Sequence, residues 1–143
     1  MIVLGIETSC DETSVSIVQR QDGYGNILAE QTLSQISKHN KYGGVVPELA
    51  SREHSKNIDR LFKRTLKKSK ISLSEIDAFA ATTGPGLLGA LLVGTNYAKS
   101  LAITTKKPFF AVNHLQAHVL VSRINTRINF PFLCLLVSGG HCQ

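Results

Sequence analysis

The sequence predicts an α/β fold, a mixed sheet with helices on both of its faces. Short apolar segments typical of buried strands are separated first by polar turns and later by longer segments with helical spacing. The early strands should therefore form an antiparallel meander, whereas the later strands follow helices and should run parallel. The predicted order is β-β-β-α-β-α-β-α, followed by one more strand.

The first three strands are predicted in the first 33 residues. Residues 2–6 form an apolar run, and residues 14–18 alternate between apolar and small polar side chains. A glycine-containing turn at residues 22–26 precedes a third strand over residues 27–33. The polar segment 7–13 joins the first two strands, so we expect it at one end of a hairpin.

A helix is predicted to begin at Pro47, after a polar loop at residues 37–44. Proline suits the first helical position, and Glu48 interacts favourably with the helix dipole. Apolar side chains recur at helical spacing after this point, and His54 lies on the same stripe. Because such a stripe faces the core, we expect His54 to be a packed, hydrogen-bonded histidine and not a metal ligand.

The second half of the chain alternates strands and helices. Residues 76–82 predict a strand, and residues 83–86 form the turn that ends it. The helix predicted over residues 87–102 is apolar nearly all round, which predicts burial on both of its sides. Its glycines, Gly89 and Gly94, should let neighbouring elements approach closely.

The last part of the chain contains a short strand at residues 108–112 and a helix that Asn113 caps. A polar loop separates this helix from an apolar run at residues 132–137, which we interpret as a further strand. This run ends in a glycine turn that would lead to a partner strand. We therefore expect residues 1–129 to form one domain and residues 130–143 to begin a second.

Composition and charge are those of an ordinary globular domain. The chain has 143 residues, 43% of them hydrophobic, and a formal net charge of +6. This charge is compatible with a polyanionic partner such as RNA, and also with a solvated surface. Five basic residues near the end of the first long helix allow the same two interpretations, because cations also stabilise a helix C-terminus: Lys63, Arg64, Lys67, Lys68 and Lys70.

The cysteines favour a reducing compartment. Cys10, Cys134 and Cys142 make an odd number and form no Cys-x-x-Cys motif, which argues against a disulfide framework. The sequence contains neither a recognisable signal peptide nor an apolar stretch long enough to cross a membrane. We therefore expect a cytoplasmic protein that has no membrane partner.

The histidine pair His114 and His118 is the sharpest candidate site. Residues four apart on a helix share one face, so the two imidazoles could bind a single metal ion. The pair follows a predicted strand, and open α/β sheets usually place their sites at the carboxyl ends of strands. Two packed or exposed histidines with no ligand are the alternative. Leu115 stands where a zinc protease motif has its glutamate, so the pair lacks that general base.

Three small turns that follow predicted strands are further candidates. Residues 7–13 offer hydroxyls and carboxylates, and residues 83–86 open a helix whose free N–H groups could meet an anion. Residues 138–140 carry no bulky side chain and could approach a phosphate closely. Each turn is also explained by the ordinary need of tight turns for glycine.

Five motifs, in order along the chain, point to one family. They are residues 5–13, 42–52, 84–87, 114–118 and 136–141. Together they closely resemble the TsaD family of tRNA adenosine threonylcarbamoyltransferases. The resemblance extends over essentially the whole chain, and the longer motifs are highly specific.

The resemblance implies a ribonuclease H-like domain, the first of two in the actin-like ATPase and sugar kinase fold. It implies transfer of a threonylcarbamoyl group from threonylcarbamoyl-AMP to the adenosine adjacent to the anticodon of tRNA, with other proteins of the same pathway as partners. It also implies that His114 and His118 hold one divalent metal ion, iron or zinc, and that Asp11 and Glu12 form an acidic catalytic turn. The implied substrate-binding residues are Leu136, Val137, Ser138, Gly139 and Gly140.

The chain also departs from the family pattern. The resemblance implies a chain more than twice as long, whose third metal ligand, an aspartate, lies in the second domain. We therefore expect the 143-residue chain to be inactive alone. The alternatives are a non-catalytic partner-binding module or a decayed gene fragment. A metallopeptidase is a further alternative, which Leu115 disfavours.

Overall fold

Five strands and four α-helices make up the fold in the part of the chain that the structure describes. The structure is a computed structural model and describes residues 1–124, 126 and 128–137. The strands are β1 (Ile2–Glu7), β2 (Glu12–Gln21), β3 (Tyr24–Ser34), β4 (Ala78–Gly84) and β5 (Phe109–Asn113). The helices are α1 (Ile36–His39), α2 (Pro47–Ser69), α3 (Leu88–Thr105) and α4 (His114–Leu120).

The strands form one mixed sheet in the order β3-β2-β1-β4-β5. The strands β1, β2 and β3 are antiparallel neighbours, and β4 and β5 continue the sheet in parallel with β1. Central strand β1 thus pairs on both sides, and its Leu4 lies opposite Ile17 of β2 and Phe79 of β4. The predicted meander and mixed sheet are confirmed.

The core lies between one face of the sheet and the two long helices. Alternate residues of each strand point to this face, since successive side chains of a strand alternate between faces. The apolar stripe of α2 covers β2 and β3, and α3 covers β1 and β4. The core residues are Leu4, Ile6, Val15, Ile17, Phe79 and Ala81 of the sheet, with Ile58, Leu61, Phe62, Ala98 and Ala102 of the helices.

Two glycines of α3 allow the close packing that the sequence predicts. A Cβ atom added at Gly94 would lie 2.4 Å from Thr8 Oγ1, and one at Gly89 would lie 2.5 Å from Ser51 Oγ. The first contact brings α3 against the end of β1, and the second brings it against α2. Glycine is therefore required for the observed approach at Gly94, where the neighbour is buried.

The prediction that α3 is buried on both sides is wrong. Its buried residues lie on one face, whereas Leu88 and Ile103 are 74% and 77% exposed and Leu92 is also exposed. An apolar composition indicates that a face can be covered. It does not show that the described part of this chain covers it.

The second face of the sheet, opposite α2 and α3, is covered by shorter elements. Helix α4 and the turn after it border this face, where Ile124 pairs with Gly25 of β3 and lines the same cleft as Val18. The prediction of helices on both faces is confirmed, with both long helices on the same face. No helix of the described residues is long and apolar enough to cross a membrane.

Two other expectations need correction. The polar loop predicted at residues 37–44 contains most of α1 and a short 3-10 turn, Asn40–Tyr42, and His39 is buried there. Of the strand predicted at residues 132–137, residues 132–136 have no regular secondary structure. A strand needs a neighbour to satisfy its backbone groups, and within the described residues this segment pairs with no strand of the sheet.

Candidate functional site

The candidate site lies where parallel strands β1, β4 and β5 end side by side. Glu7 ends β1, Thr82 is near the end of β4, and Asn113 ends β5. Because the carboxyl ends of parallel strands meet at one edge of the sheet, residues more than 100 positions apart become neighbours here. This is the edge at which the sequence predicts a site.

Helix α4 presents both histidines of the pair to this edge. The side chain of Asn113 accepts hydrogen bonds from the backbone N–H groups of Leu115 (2.9 Å) and Gln116 (3.2 Å), so the predicted N-cap is confirmed. One turn apart on this helix, His114 and His118 place their Nε2 atoms 3.2 Å from each other. Their rings meet edge to face, with centroids 4.6 Å apart.

This separation suits two ligands of one ion. Imidazole nitrogens lie about 2.1 Å from zinc, so two nitrogens 3.2 Å apart subtend an angle of about 100° at a shared ion, close to the tetrahedral value. The donor set of His114 and His118 therefore fits a divalent metal such as zinc or iron. Within the described part of the chain, no group of three or more metal-ligating side chains is present, so the pair supplies two ligands.

Glu7 lies directly behind His114. Its carboxylate accepts hydrogen bonds from the Ser9 backbone N–H and the Thr82 hydroxyl. Its Oε2 atom is also 3.3 Å from His114 Nδ1, which Ser9 Oγ approaches to 3.3 Å as well. Burial alone would raise the pKa of Glu7, but the hydrogen bonds from Ser9 and Thr82 lower it overall, with a smaller contribution from His114. Glu7 is therefore an anion at neutral pH.

Glu7 is not one of the catalytic, substrate-binding or metal-binding residues that the sequence predicts. The sequence marks it only as one polar residue of the segment 7–13. Its signal is local, since it is the first carboxylate after a buried strand and ends that strand at the predicted edge. The contact with His114 is not visible in the sequence, because 107 positions separate the two residues.

The structure separates the two predicted catalytic carboxylates. Glu12 lines a cleft of about 680 Å³ on the second face of the sheet, together with Glu7, His114 and His118. Asp11 instead lines a smaller hollow of about 290 Å³ beside α1. Neither carboxylate forms a hydrogen bond or ion pair with either histidine in the structure, so only Glu12 shares a cavity with the pair.

The predicted substrate-binding segment is described only in part. Leu136 lines a cleft of about 580 Å³ with Asn113 and Gln116, and it does not line the cleft that contains His114 and His118. Val137 is exposed. The other predicted residues of this segment, Ser138, Gly139 and Gly140, lie outside the described residues.

His54 has a structural role, as predicted. Its Nε2 donates to the Cys10 carbonyl (3.0 Å), and its Nδ1 lies 2.7 Å from Thr13 Oγ1 and 3.2 Å from Gln35 Nε2. The side chain is fully buried, and burial lowers the pKa of His54, so it is neutral. Gln35 in turn contacts His39, and this network ties the loops beside the site to α2.

Two solved structures have a similar fold. YeaZ from Pseudomonas aeruginosa matches with a TM-score of 0.58 and 19% identity, over 82% of this chain and 48% of that one. RuvC from Thermus thermophilus, in complex with a Holliday junction substrate, matches with a TM-score of 0.52 and 14% identity, over 83% of this chain and 70% of that one. The sheet and its helices define a ribonuclease H-like domain of the actin-like ATPase type.

Sequence comparison identifies the family. The family model "TsaD: tRNA N6-adenosine threonylcarbamoyltransferase" matches residues 26–143. Curated relatives of that name from Brucella canis and Brucella ovis are 57% and 56% identical over the whole chain. The chain belongs to the TsaD family, which is a family of transferases. It spans 40% of the length of these relatives.

Proposed function

We propose that this chain serves the reaction for which its family is named, transfer of a threonylcarbamoyl group to adenosine in tRNA. The observation that carries the proposal is the pair of imidazole nitrogens 3.2 Å apart, at the carboxyl edge of the sheet and open to a cleft. The donor is threonylcarbamoyl-AMP, and the acceptor is the amine of the adenosine adjacent to the anticodon. We place the reaction in the cytoplasm, whose reducing conditions suit the free thiols of Cys10 and Cys134.

His114 and His118 would hold one divalent ion, iron or zinc. When bound, such an ion supplies Lewis-acid polarisation of an acyl or phosphoryl oxygen and positions the acyl adenylate. The chain's own residues supply the rest of this half of the site. Asn113 fixes the start of α4 and so the direction of both imidazoles, and Glu12 places a carboxylate at the wall of the same cleft. Asp11 remains a weaker catalytic candidate because it faces a different hollow.

The segment after α4 supports the proposal that residues 130–143 begin a second domain. Phe130, Leu133, Leu135 and Val137 are between 61% and 103% exposed, which is unusual for four large apolar side chains in one short segment. The relatives are more than twice as long as this chain. We propose that this segment packs against the following domain in those longer proteins, and that Leu136 to Gly140 complete the substrate site there.

A chimera tests the proposed function. This chain would replace the matching part of the Brucella canis relative, and the chimera would be incubated with threonylcarbamoyl-AMP and unmodified tRNA together with the other pathway proteins. We expect modified adenosine with the chimera, and at least a tenfold lower rate in its His114→Ala and His118→Ala variants. The 143-residue chain alone should give no product.

Three outcomes of this experiment would contradict one part of the proposal each. A folded chimera that gives no modified tRNA would contradict the transferase function of this chain. Equal rates for the chimera and its histidine variants would contradict the role of the pair. Product at a normal rate from the chain alone would show that the second domain is dispensable.

A partner-binding module is the second candidate function. The exposed apolar side chains of α3, Leu88, Leu92 and Ile103, favour it, because such a face is typical of a protein–protein contact. A Leu92→Asp variant should then lose binding to the other pathway proteins while keeping the fold. Retained partner binding in this variant would remove the support that α3 gives to this candidate.

A further inference from the structure

We propose that Glu7 is a positioning residue for the metal site, fixing which nitrogen of His114 is free to bind. This inference rests on the proposed metal-binding role of the histidine pair. It starts from the contact between Glu7 Oε2 and His114 Nδ1, on the side of the imidazole ring opposite the nitrogen that faces His118. Glu7 therefore contacts the ligand His114 on the ring side away from the ion, and this contact cannot ligate the same ion.

The hydrogen bonds around Glu7 determine which atom is the donor in its contact with His114. Ser9 N–H donates to Oε1 and Thr82 O–H donates to Oε2, so both oxygens already act as acceptors. An ionised carboxylate has no proton to give. The hydrogen bond with His114 therefore has Nδ1–H as its donor, and Nε2 of the neutral ring keeps its lone pair. This lone pair lies on the side of His118, where a metal ion would bind.

The Glu7 carboxylate is held rigidly enough to fix the tautomer and the ring orientation of His114. Glu7 ends β1, the central strand, which pairs with β2 and β4 along its length. Thr82, one of its donors, comes from β4, and Ser9 is buried. A carboxylate behind a metal-binding histidine typically fixes the tautomer and the ring orientation, and losing it costs 10–100-fold in metal affinity. The contact of 3.3 Å is long for a charge-assisted hydrogen bond, so we expect about tenfold here.

Glu7→Gln tests the inference on the 143-residue chain. The amide keeps the shape but replaces one acceptor oxygen by an NH₂ group. Because Ser9 N–H is a donor, the remaining oxygen stays at Oε1, and the NH₂ group takes the place of Oε2, where it faces His114 Nδ1 and the Thr82 hydroxyl as a donor. The matched control is Glu30→Gln, because Glu30 lines the same cleft and does not contact the histidines. Two quantities are measured: the affinity for Zn²⁺, and the tautomer of His114 in the metal-free protein from its imidazole ¹⁵N shifts.

We expect His114 to be the Nδ1–H tautomer in the wild type and in Glu30→Gln, and to shift towards the Nε2–H tautomer in Glu7→Gln. Zn²⁺ affinity should fall about tenfold in Glu7→Gln alone. An unchanged tautomer in a folded Glu7→Gln variant would overturn the inference. If Glu7→Gln does not fold, Glu7→Asp replaces it, since the shorter side chain withdraws the carboxylate from His114 Nδ1 and keeps its charge. The same tautomer shift, smaller in size, is then expected, and its absence would overturn the inference.

The two readouts separate this inference from the proposed function. If the wild-type chain binds no Zn²⁺ but Glu7→Gln still changes the tautomer, the metal site fails while the positioning role of Glu7 stands. If Zn²⁺ binds equally to both proteins with the tautomer unchanged, the metal site stands and the role of Glu7 is refuted.

Discussion

Replacing Gly94 by alanine should destabilise the protein at the point where α3 meets the end of β1. The added Cβ would lie 2.4 Å from Thr8 Oγ1 and 3.2 Å from Ile6 Cγ2. Thr8 cannot simply turn aside, because it is buried and its hydroxyl donates to the Ala90 carbonyl (2.8 Å) and accepts from Gly94 N–H (3.2 Å). The helix or the strand must therefore move by several tenths of an ångström, or the hydroxyl must lose its partners.

The size of the effect follows from three contributions. Overpacking of a close-packed site costs about 1–3 kcal/mol. Weakening the hydrogen bonds of the Thr8 hydroxyl costs about 1 kcal/mol more. Alanine at Gly94 regains about 1 kcal/mol of helix propensity. The expected net loss in the free energy of unfolding is therefore about 2 kcal/mol, measured by urea denaturation monitored by circular dichroism, with an unchanged m-value.

Gly89→Ala is the matched control. Its Cβ would lie 2.5 Å from Ser51 Oγ, the end of a small side chain at the helix surface that can rotate away. The gain of about 1 kcal/mol in helix propensity is offset by the loss of the hydrogen bond from Ser51 Oγ to the Pro47 carbonyl, so we expect a net change within about 0.5 kcal/mol. The double variant Thr8→Ala with Gly94→Ala should lose less than the sum of the two single losses, since the clashing hydroxyl is gone. A Gly94→Ala protein as stable as wild type, or equal losses for the two glycine variants, would refute the packing argument.

The remaining predictions concern the pH dependence of stability. Lys38 and Lys56 hold the pKa of Glu53 at about 2, below its ordinary value of 4.5, so the contribution of this carboxylate is complete above pH 4.5 and is lost as the pH falls towards 2. Because both lysines are half exposed or more, we expect this carboxylate to contribute about 1 kcal/mol to the free energy of unfolding at neutral pH. Stability should therefore fall less between neutral and acid pH in Glu53→Gln than in the wild type, as measured by denaturation midpoints. An equal fall in both proteins would contradict this. Burial lowers the pKa of His54, so the unfolded chain binds a proton at a higher pH than the folded chain does. The free energy of unfolding should therefore fall as the pH drops below 6.5. A His54 pKa of 6.5 or above in the folded chain, measured by NMR titration, would contradict this.

The positions of the long elements could be predicted because their patterns are local. Alternation in β2 and the stripe of α2 reflect one buried face each, and the turns between them carry glycine and polar residues. Helix α1 was missed because four residues are too few to show a helical period. The same reasoning placed His54 correctly, since a histidine on a buried stripe must find partners within the core.

Features that depend on distant neighbours could not be predicted in this way. Residues 132–137 have the composition of a strand, but a strand is defined by pairing, and composition does not reveal the partner. The exposed face of α3 has the same origin, because apolar residues show that a surface can be covered and not what covers it. The histidine pair was visible as a spacing within one helix, whereas its neighbour Glu7 required the sheet topology to be known.

The stability of the fold and the geometry of the site depend on the same three residues at the end of β1. Thr8 is held by α3 through Ala90 and Gly94, while Glu7 is held by Thr82 of β4. Ser9 joins both, because its carbonyl accepts from Leu87 N–H (2.8 Å) at the start of α3 and its N–H donates to Glu7. A shift of α3 away from Thr8 would therefore be transmitted within one or two residues to the carboxylate behind His114. It follows that a packing change at α3 should alter both unfolding free energy and metal affinity, whereas a change on the exposed face of α2 should alter neither.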